Sequence, residues 1–486
     1  MRILMASAEA SPFAKTGGLA DVTSSLSKAL DKRGHEVALI LPKYLMVDRG
    51  GIKTEPIDLP LLTPISGQER TGWIHRAVLP GSNCQVYLVT NDHYYNRNGL
   101  YGENGRDYPD NLERFVFFCR AVLELMRSDE FVPDILHCHD WQAALLPAYL
   151  RSDFDSILKV AGGVRSVFTT HNIAFQGFFP RDQFETTGLS WNLFTPDGVE
   201  YYGDLNLMKS GLVYSDAVTT VSERYAAEIM TPEYGCGLES VVASVRDRLH
   251  GILNGVDYDL WNPETDSLIP ANYSRDNLSG KAQCKAALQK ELDLPTNPEI
   301  PLLGSIGRFD RQKGLDLIAE ILEDLLLRGE VQFVILGSGD PEIERQFQRL
   351  QERFPDSLRV RIGLDEALAH GIQAGVDMFL MPSRFEPCGL AQLYSLKYGT
   401  VPIVRMTGGL ADTIRDFNEA QKDGYGFVFN KAEGKELLHA VERAISVYRD
   451  KTAWEALMKR GMACDFSWDA SAKRYERLYR TLLGEE

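Results

Sequence analysis

The chain has 486 residues, of which 44% are hydrophobic and 25% are charged, and its formal net charge at pH 7 is −16. This length exceeds what one hydrophobic core usually supports, so two domains are expected. The acidic balance argues against a nucleic-acid partner, and the sequence contains no run of about 18 apolar residues that would indicate a membrane span. Seven cysteines are scattered without a CxxC pair, which favours a reducing compartment and hence a cytoplasmic protein.

The first half of the sequence alternates apolar strand-like segments with amphipathic helical segments, which predicts a doubly wound parallel sheet over residues 1–255. The N-terminal segment already fits a strand, so no signal peptide is expected. The predicted strands are Arg2–Ser7, Glu36–Leu41, Gln85–Thr90, Asp134–His139, Ser166–His171 and Ala217–Ser222. The predicted helices are Ala20–Lys32, Asn111–Arg127, Gln142–Arg151 and Leu207–Tyr214.

A glycine pair, Gly17-Gly18, lies between the first predicted strand and the first predicted helix. Adjacent glycines before a helix expose backbone N–H groups that an anion can contact, and Lys15 adds a positive charge. A plain glycine turn that ends in a helix cap is the alternative interpretation. The five letters GGLAD recur at residues 408–412, so the same helix start is predicted in both halves of the chain.

Three acidic or histidine-rich segments could suggest a metal. His137 and His139 would face the same side of a strand, but no third and fourth ligand follow at a recognisable spacing. A polar strand end is therefore favoured over a metal site. The triplets Asp153–Asp155 and Asp257–Asp259 are interpreted as loop and helix-cap residues. No metal is predicted.

The alternation is interrupted between Asn262 and Asn297, where Asn, Asp, Pro and Ser are frequent, and this stretch is predicted to be exposed. A domain boundary is expected near Leu253–Asp257, with a second doubly wound domain over residues 256–465 and a last amphipathic helix, Ala470–Leu483, in residues 466–486. The predicted strands of the second domain are Leu302–Gly307, Gln332–Leu336, Val360–Ile362, Asp377–Met381, Val401–Arg405 and Gly426–Val428. Its predicted helices are Gly314–Arg328, Pro341–Phe354, Asp365–Ala374, Leu390–Tyr398 and Lys435–Tyr448.

Charged residues follow two strands of this second domain. Glu386 lies in a turn after the strand that ends near Met381, at the edge where open α/β sheets bind ligands. A capped turn with a solvated glutamate is the alternative. Arg308 and Lys313 bracket the turn after the strand Leu302–Gly307, and two cations beside a helix start suit a diphosphate. Solvated surface cations are the alternative for this pair.

Several long segments resemble the family of bacterial glycogen synthases and plant starch synthases, which are retaining glucosyltransferases. They occur in the family's order over Arg2 to about Leu483. They are SAEASPFAKTGGLADV, HCHDWQAALLPAYL, FTTHNIAFQG, GILNGVD, IGRFDRQKGLDL and PSRFEPCGLAQLYSLKYGTVPIVRMTGGLADT.

The resemblance implies two Rossmann-like domains facing across a deep cleft (GT-B type), with the acceptor side first and the nucleotide-sugar side second. It also implies that the last helix returns to the first domain. The implied reaction moves glucose from ADP-glucose to the non-reducing end of an α-1,4-glucan with retention and without a cofactor. Leu364 replaces an aromatic residue that the family often has, so UDP-glucose stays open as the donor.

The resemblance also implies the roles of individual residues. Catalytic roles fall on Lys15, Asp140, His171 and Glu386. Substrate-binding roles fall on Lys15, Gly17, Gly18, Asp21, Asn172, Asn254, Arg308, Lys313, Cys388, Gly389, Leu390, Thr407, Gly408 and Gly409. Further residues that could face the acceptor glucan, or equally belong to the core, are His93, Tyr94, Tyr95 and Trp141. Two alternative functions stay open: a retaining transferase that makes a disaccharide or its phosphate, and an inactive glucan-binding relative.

Overall fold

The computed structural model describes residues 1–103, 105–152 and 163–485. The chain divides into two compact units: the N-terminal unit comprises Met1–Gly255 with Trp468–Glu486, and the C-terminal unit comprises Val256–Ser467. The triplet Asp153–Asp155 lies outside the described residues. In the described ranges, no helix combines the length and the apolar character that crossing a membrane requires.

The N-terminal unit is built on one large sheet. The strands of the unit, of which nine form the large sheet, are β1 (Arg2–Ala6), β2 (Glu36–Pro42), β3 (Glu55–Ile65), β4 (Gln68–Val78), β5 (Gln85–Thr90), β6 (Gly102–Glu103), β7 (Arg106–Asp107), β8 (Ile135–His139), β9 (Arg165–Thr170), β10 (Phe178–Phe179), β11 (Glu200–Tyr201), β12 (Asp204–Asn206), β13 (Ala217–Thr220) and β14 (Leu249–Gly251). The large sheet has the order β14-β13-β9-β8-β1-β2-β5-β4-β3. Neighbours from β14 to β5 are parallel, whereas β4 is antiparallel to both β5 and β3.

Helices connect these strands, and the last helix of the chain packs on the same unit. The α-helices are Gly18–Lys32, Leu45–Arg49, Asp92–Tyr95, Asn111–Arg127, Asp140–Ala143, Leu145–Arg151, Phe184–Thr187, Leu207–Tyr214, Glu223–Glu228, Glu239–Ser244 and Trp468–Leu483. Arg33 pairs with both Asp469 and Glu476 of the last helix, and Ser471 Oγ donates to the carbonyl of Leu253 at 2.6 Å. These contacts hold the end of the chain against the N-terminal unit.

The hairpin of β3 and β4 was not predicted from the sequence. β3 carries Pro56, Pro60 and Pro64, which lack the N–H that an interior strand must donate. The strand lies at the edge of the sheet and has one neighbour, so these prolines are tolerated. The prolines therefore hid this edge strand from the sequence pattern without opposing its formation.

The C-terminal unit contains a six-stranded sheet in which all described neighbours are parallel. Its strands are β15 (Leu302–Ile306), β16 (Gln332–Gly337), β17 (Leu358–Ile362), β18 (Met378–Met381), β19 (Val401–Arg405) and β20 (Phe427–Phe429), in the order β17-β16-β15-β18-β19-β20. Its α-helices are Ser279–Glu291, Leu315–Leu327, Pro341–Arg353, Glu366–Gly375, Ala391–Lys397, Gly408–Thr413, Gly434–Tyr448 and Lys451–Met462.

Successive residues of the central strands point to opposite faces of this sheet, and both faces are covered. Leu303 and Phe333 belong to one hydrophobic cluster, whereas their neighbours Leu302 and Val334 belong to another. Strands buried on both faces appear in the sequence as continuous apolar runs. The alternation of strands with helices was visible in the sequence for this reason. The predicted elements are confirmed with ends shifted by at most two residues, as at Leu358 against the predicted Val360, except that the predicted helix Gln142–Arg151 is two helices, Asp140–Ala143 and Leu145–Arg151.

The prediction that residues 262–297 are exposed is wrong for the helix Ser279–Glu291, although residues 275–277 before it are exposed. The helix Ser279–Glu291 packs into the unit, where Lys281 Nζ donates to the carbonyl of Ala374 at 3.0 Å and to Thr400 Oγ1 at 2.7 Å. Lys285 pairs with Asp377 at 2.8 Å. The buried face of this helix contains two lysines whose ammonium groups are satisfied, so its apolar pattern is weak and the sequence gives little signal.

Candidate active site

In the C-terminal unit, the carboxyl ends of three neighbouring strands bring the predicted residues of this half together. Lys313 Nζ contacts Glu386 Oε2 at 2.7 Å, and Ser383 Oγ donates to the same oxygen at 3.0 Å. Glu386 follows β18 and is 5% exposed. The alternative of a solvated glutamate in a capped turn is therefore wrong. Burial of a carboxylate has a desolvation cost, which the paired cation offsets, and such buried pairs concentrate at functional sites.

Arg308 lies beside this ion pair along the chain and keeps an exposed guanidinium. Its Nη2 lies 3.3 Å from Asp310 Oδ2 and 3.2 Å from Gln312 Oε1. Asp310 also caps the short 3₁₀ turn by accepting from the backbone N–H of Lys313 at 3.0 Å. Asp310 thus holds the guanidinium of Arg308 and the backbone at Lys313, whereas the ammonium group of Lys313 is held by Glu386. Gln312 Nε2 donates to the carbonyl of Phe385 at 3.2 Å, which ties this turn to the turn of Glu386.

The second glycine turn supports the backbone around Glu386. The N–H of Gly409 donates to the carbonyls of Glu386 and Pro387, both at 3.1 Å. A Cβ on Gly408 would lie 2.0 Å from the carbonyl oxygen of Glu386, and one on Gly409 would lie 2.1 Å from that of Cys388. No side chain fits there without moving the backbone of the Glu386 turn. These glycines therefore have a packing role, beside any contact with a substrate.

The helix Gly408–Thr413 begins at the second GGLAD segment, and the helix Gly18–Lys32 begins at the first. The predicted helix starts are thus confirmed. In the N-terminal unit, Lys15 Nζ lies 2.8 Å from Asp21 Oδ1, and Gly17 and Gly18 are exposed. The glycine pair is thus open beside Lys15, whose ammonium group is paired with a carboxylate, and an anion site at this loop stays a prediction.

Glu9 organises this glycine loop, and the sequence analysis missed it. Its Oε2 accepts from the backbone N–H of Thr16 at 2.6 Å and of Gly17 at 3.3 Å. Its Oε1 accepts from Thr16 Oγ1 and from the hydroxyl of Tyr101, both at 2.7 Å. The Gly17 N–H is therefore engaged, and an anion would find the N–H of Gly18 instead. Glu9 follows β1 just as Glu386 follows β18, and this shared position is the signal that could have identified it.

Asp140 and His171 follow the neighbouring strands β8 and β9. Asp140 Oδ1 accepts from the backbone N–H of His171 at 2.8 Å, and Asp140 has a positive φ of 55°. Burial raises the pKa of Asp140 to about 7, against the opposing effect of hydrogen bonds from the backbone of His171 and Asn172. Burial lowers the pKa of His171 to about 3, so this imidazole is neutral near neutral pH.

The two histidines of β8 are held by other side chains. His137 Nδ1 lies 2.7 Å from the hydroxyl of Tyr479, and His137 Nε2 lies 2.5 Å from Thr169 Oγ1. His139 Nδ1 lies 3.0 Å from His171 Nε2. Over the described residues, no group of three or more His, Cys, Asp or Glu side chains is placed to bind a metal ion.

The residues considered for the acceptor are not equivalent. Tyr94 and Tyr95 are buried, with their hydroxyls donating to Glu113 and to the carbonyl of Arg114, so they belong to the core. The side chain of Asn254 is buried, and its Oδ1 has no hydrogen-bond partner among the described residues. Of the remaining candidates, His93 is exposed, Trp141 is partly buried, and Asn172 Oδ1 accepts from the N–H of Ala174 at 3.0 Å. Leu364, which replaces an aromatic residue, is 99% exposed.

Two α/β units with parallel sheets, together with a match of residues 288–456 to the family model for group 1 glycosyl transferases, define the class of the protein as a glycosyltransferase. Residues 2–244 match the model described as the starch synthase catalytic domain. The chain belongs to the family of bacterial glycogen synthases and plant starch synthases, and the resemblance stated from its motifs is confirmed.

Curated relatives and solved structures agree with this assignment. A glycogen synthase from an Anaeromyxobacter species is 47% identical over 99% of both chains, and one from Geotalea uraniireducens is 46% identical over 100% of both. The catalytic domain of starch synthase IV from Arabidopsis thaliana, bound to ADP and acarbose, is 35% identical, with a TM-score of 0.90 over 99% of both chains. Sucrose-phosphate synthase from Thermosynechococcus elongatus, at 17% identity and a TM-score of 0.61, shares the fold. The predicted two-domain α/β fold of GT-B type is confirmed.

Proposed function

We propose that this protein transfers glucose from ADP-glucose to the non-reducing end of an α-1,4-glucan with retention of configuration. The observation that carries the proposal is the Lys313–Glu386 pair, a cation and a buried carboxylate 2.7 Å apart at the ligand-binding edge of a parallel sheet. A nucleotide sugar needs a positive group for its diphosphate and a polar group for its sugar hydroxyls, and this edge supplies both. The full-length similarity to glycogen synthases supports the same reaction.

We assign the donor diphosphate to Arg308 and Lys313. Negative charge develops on the departing diphosphate, and cations held in place before the reaction stabilise it without a reorganisation cost. Arg308 offers a planar fork that Asp310 orients, and Lys313 offers a point charge that Glu386 holds in place. The residues of the C-terminal unit that are also assigned to substrate binding are Cys388, Gly389, Leu390, Thr407, Gly408 and Gly409.

Glu386 is assigned to hydrogen bonds with hydroxyls of the transferred glucose. A covalent nucleophile is the alternative role for a carboxylate in a retaining reaction. One oxygen of Glu386 already accepts from both Lys313 and Ser383, which disperses its negative charge. This arrangement supports a same-face displacement, in which the departing phosphate guides the acceptor.

In the N-terminal unit, we assign Asp140 and His171 to the transferred sugar. The neutral imidazole of His171 favours a role for its backbone carbonyl, which would support positive charge developing on glucose. Lys15 with the loop of Gly17 and Gly18 is assigned to the donor phosphates. The remaining residues assigned to substrate binding in this unit are Asp21, Asn172 and Asn254. The scattered cysteines support a reducing, cytoplasmic setting for the reaction.

The alternatives have less support. A transferase that makes a disaccharide or its phosphate is not favoured, because the likeness to sucrose-phosphate synthase is 17% in identity and concerns the fold alone. An inactive glucan-binding relative would be free to lose the ion pair of Lys313 and Glu386, yet the pair is intact.

The test is nucleoside diphosphate release from ADP-glucose or UDP-glucose, with and without glycogen. We expect ADP release that depends on glycogen and incorporation of labelled glucose into the polymer. UDP-glucose is expected to react more slowly, although Leu364 offers no aromatic face to either base. Release that requires a small sugar phosphate instead of glycogen, or no release with any acceptor, would contradict the proposal.

The pH dependence of the rate provides a second test, directed at Asp140. Its pKa of about 7 means that the carboxyl is neutral below pH 7 and gains its negative charge as the pH rises. Since a negative charge beside the sugar stabilises a positively charged transition state, kcat/KM is expected to rise about tenfold between pH 6 and pH 8. Measured profiles should show this rise in the native protein and in His171→Gln, and lose it in Asp140→Asn. If the inflection disappears in His171→Gln and persists in Asp140→Asn, the assignment to Asp140 is wrong.

A further inference from the structure

Three histidines form a continuous row in the N-terminal unit. The rings of His137 and His139 are stacked with centroids 4.2 Å apart and an interplanar angle of 30°. His139 Nδ1 then lies 3.0 Å from His171 Nε2. His137 is fixed on both ring nitrogens, by the hydroxyl of Tyr479 and by Thr169 Oγ1. The plane of His139 is therefore held by a ring that cannot turn freely.

The hydrogen-bond partners of His139 determine which of its nitrogens carries the proton. Burial lowers the pKa of this imidazole well below its ordinary value, so the ring is neutral and has one N–H. His139 Nε2 is buried and has no partner among the described residues. A proton on Nε2 would leave a buried donor unsatisfied, which is costly, whereas a proton on Nδ1 is donated to His171. The Nδ1–H tautomer of His139 is the favourable one.

The tautomer of His171 follows from this contact. Its Nε2 accepts from His139, so that nitrogen carries no proton. Burial also lowers the pKa of His171, to about 3, and the ring is neutral. The one proton of His171 is then on Nδ1, and its ring plane must keep Nε2 directed at His139. The backbone N–H of His171 is fixed separately by Asp140.

We propose that His139 is a positioning residue that fixes the ring orientation and the tautomer of His171. The proposal rests on the proposed function, in which His171 contacts the transferred glucose, and it adds a residue that acts through His171. His139 itself has no contact with substrate in this proposal. The role of the row is to hold the His171 ring, and with it the local backbone, in one arrangement before the donor binds.

The experiment combines imidazole ¹⁵N NMR with steady-state kinetics. The signals of His171 are assigned by their loss in His171→Gln, and their chemical shifts report the tautomer without substrate. In the native protein we expect the Nδ1–H form. In His139→Leu we expect a mixture of tautomers and a kcat lowered about tenfold, with little change in the KM for ADP-glucose. In His139→Asn, whose amide nitrogen takes the place of Nδ1, we expect both properties to be largely restored.

A matched control is His75→Leu, which removes a partly buried imidazole with one ring contact, to Thr54 at 3.0 Å, from a different strand. This variant should leave the tautomer of His171 and kcat unchanged. The proposal is overturned by an Nε2–H form of His171 in the native protein, a result that requires no variant to fold. It is also overturned if the ¹⁵N chemical shifts of His171 in His139→Leu still report the single Nδ1–H tautomer. Both readouts are independent of catalysis, so an inactive protein would refute the proposed function and leave this test intact.

Discussion

Replacement of Glu386 by alanine is expected to lower kcat for glucan synthesis by about 10² or more, which is the scale of losing one preorganised polar contact. The carboxylate is buried and accepts from Lys313 and Ser383, so its position is set before the donor arrives. The KM for ADP-glucose should change much less than kcat if the contact strengthens in the transition state. Initial rates with ADP-glucose and glycogen measure both quantities.

Two variants sharpen this prediction. Glu386→Gln retains the shape and one acceptor oxygen but removes the charge, so its kcat should lie between those of the native protein and the alanine variant. Glu433→Ala is the matched control, because Glu433 forms an exposed pair with Lys435 at 2.9 Å in the same unit. The control should have native kinetics. Near-native turnover in a folded Glu386→Ala protein would remove Glu386 from the site.

Much of the fold was predictable because the strands are buried on both faces. The strands β15, β16 and β18 of the C-terminal unit are apolar over most of their length, and each is followed by a turn with glycine or charged residues. Such segments have few alternative interpretations. The edge strand β3 and the helix Ser279–Glu291 were not recognised, since prolines in the first and buried lysines in the second hide the usual patterns.

The site residues that lie within one sequence segment were predictable. The contacts that the fold makes between distant segments were not. Glu386 and the GGLAD helix starts are local features of the sequence. The contact of His139 with His171 depends on the parallel pairing of β8 with β9, which places His139 opposite Thr169. Chain order does not reveal which strands are neighbours in a sheet. The same holds for Glu9, whose partner Tyr101 is 92 residues away in the sequence.

The burial of Tyr94 and Tyr95 shows a further limit. Aromatic residues suit the faces of sugars and equally suit a hydrophobic core. The sequence around them is consistent with both interpretations. Their hydroxyls reach partners contributed by the helix Asn111–Arg127, and only the packing of that helix shows that they are core residues.

Replacement of Lys313 by alanine is expected to lower kcat/KM for ADP-glucose by about 10³, at the upper end of the loss for one fixed charge-stabilising group. Two effects combine: the developing charge of the diphosphate loses a cation, and the buried carboxylate of Glu386 loses the cation that pairs with it at 2.7 Å. The control is Lys435→Ala, which removes a cation from the exposed pair with Glu433 and should leave kcat/KM unchanged.

The double variant of Lys313→Ala with Glu386→Ala separates these two effects. Residues in direct contact rarely have additive effects, and removal of both charges leaves no unpaired buried ion. The double variant should therefore lose less activity than the product of the two single losses. It should also unfold at a higher temperature than Lys313→Ala alone, as followed by circular dichroism. Strictly multiplicative losses in kcat/KM, with no recovery of the melting temperature, would show that the two side chains act independently and would contradict a proposed function that rests on their ion pair.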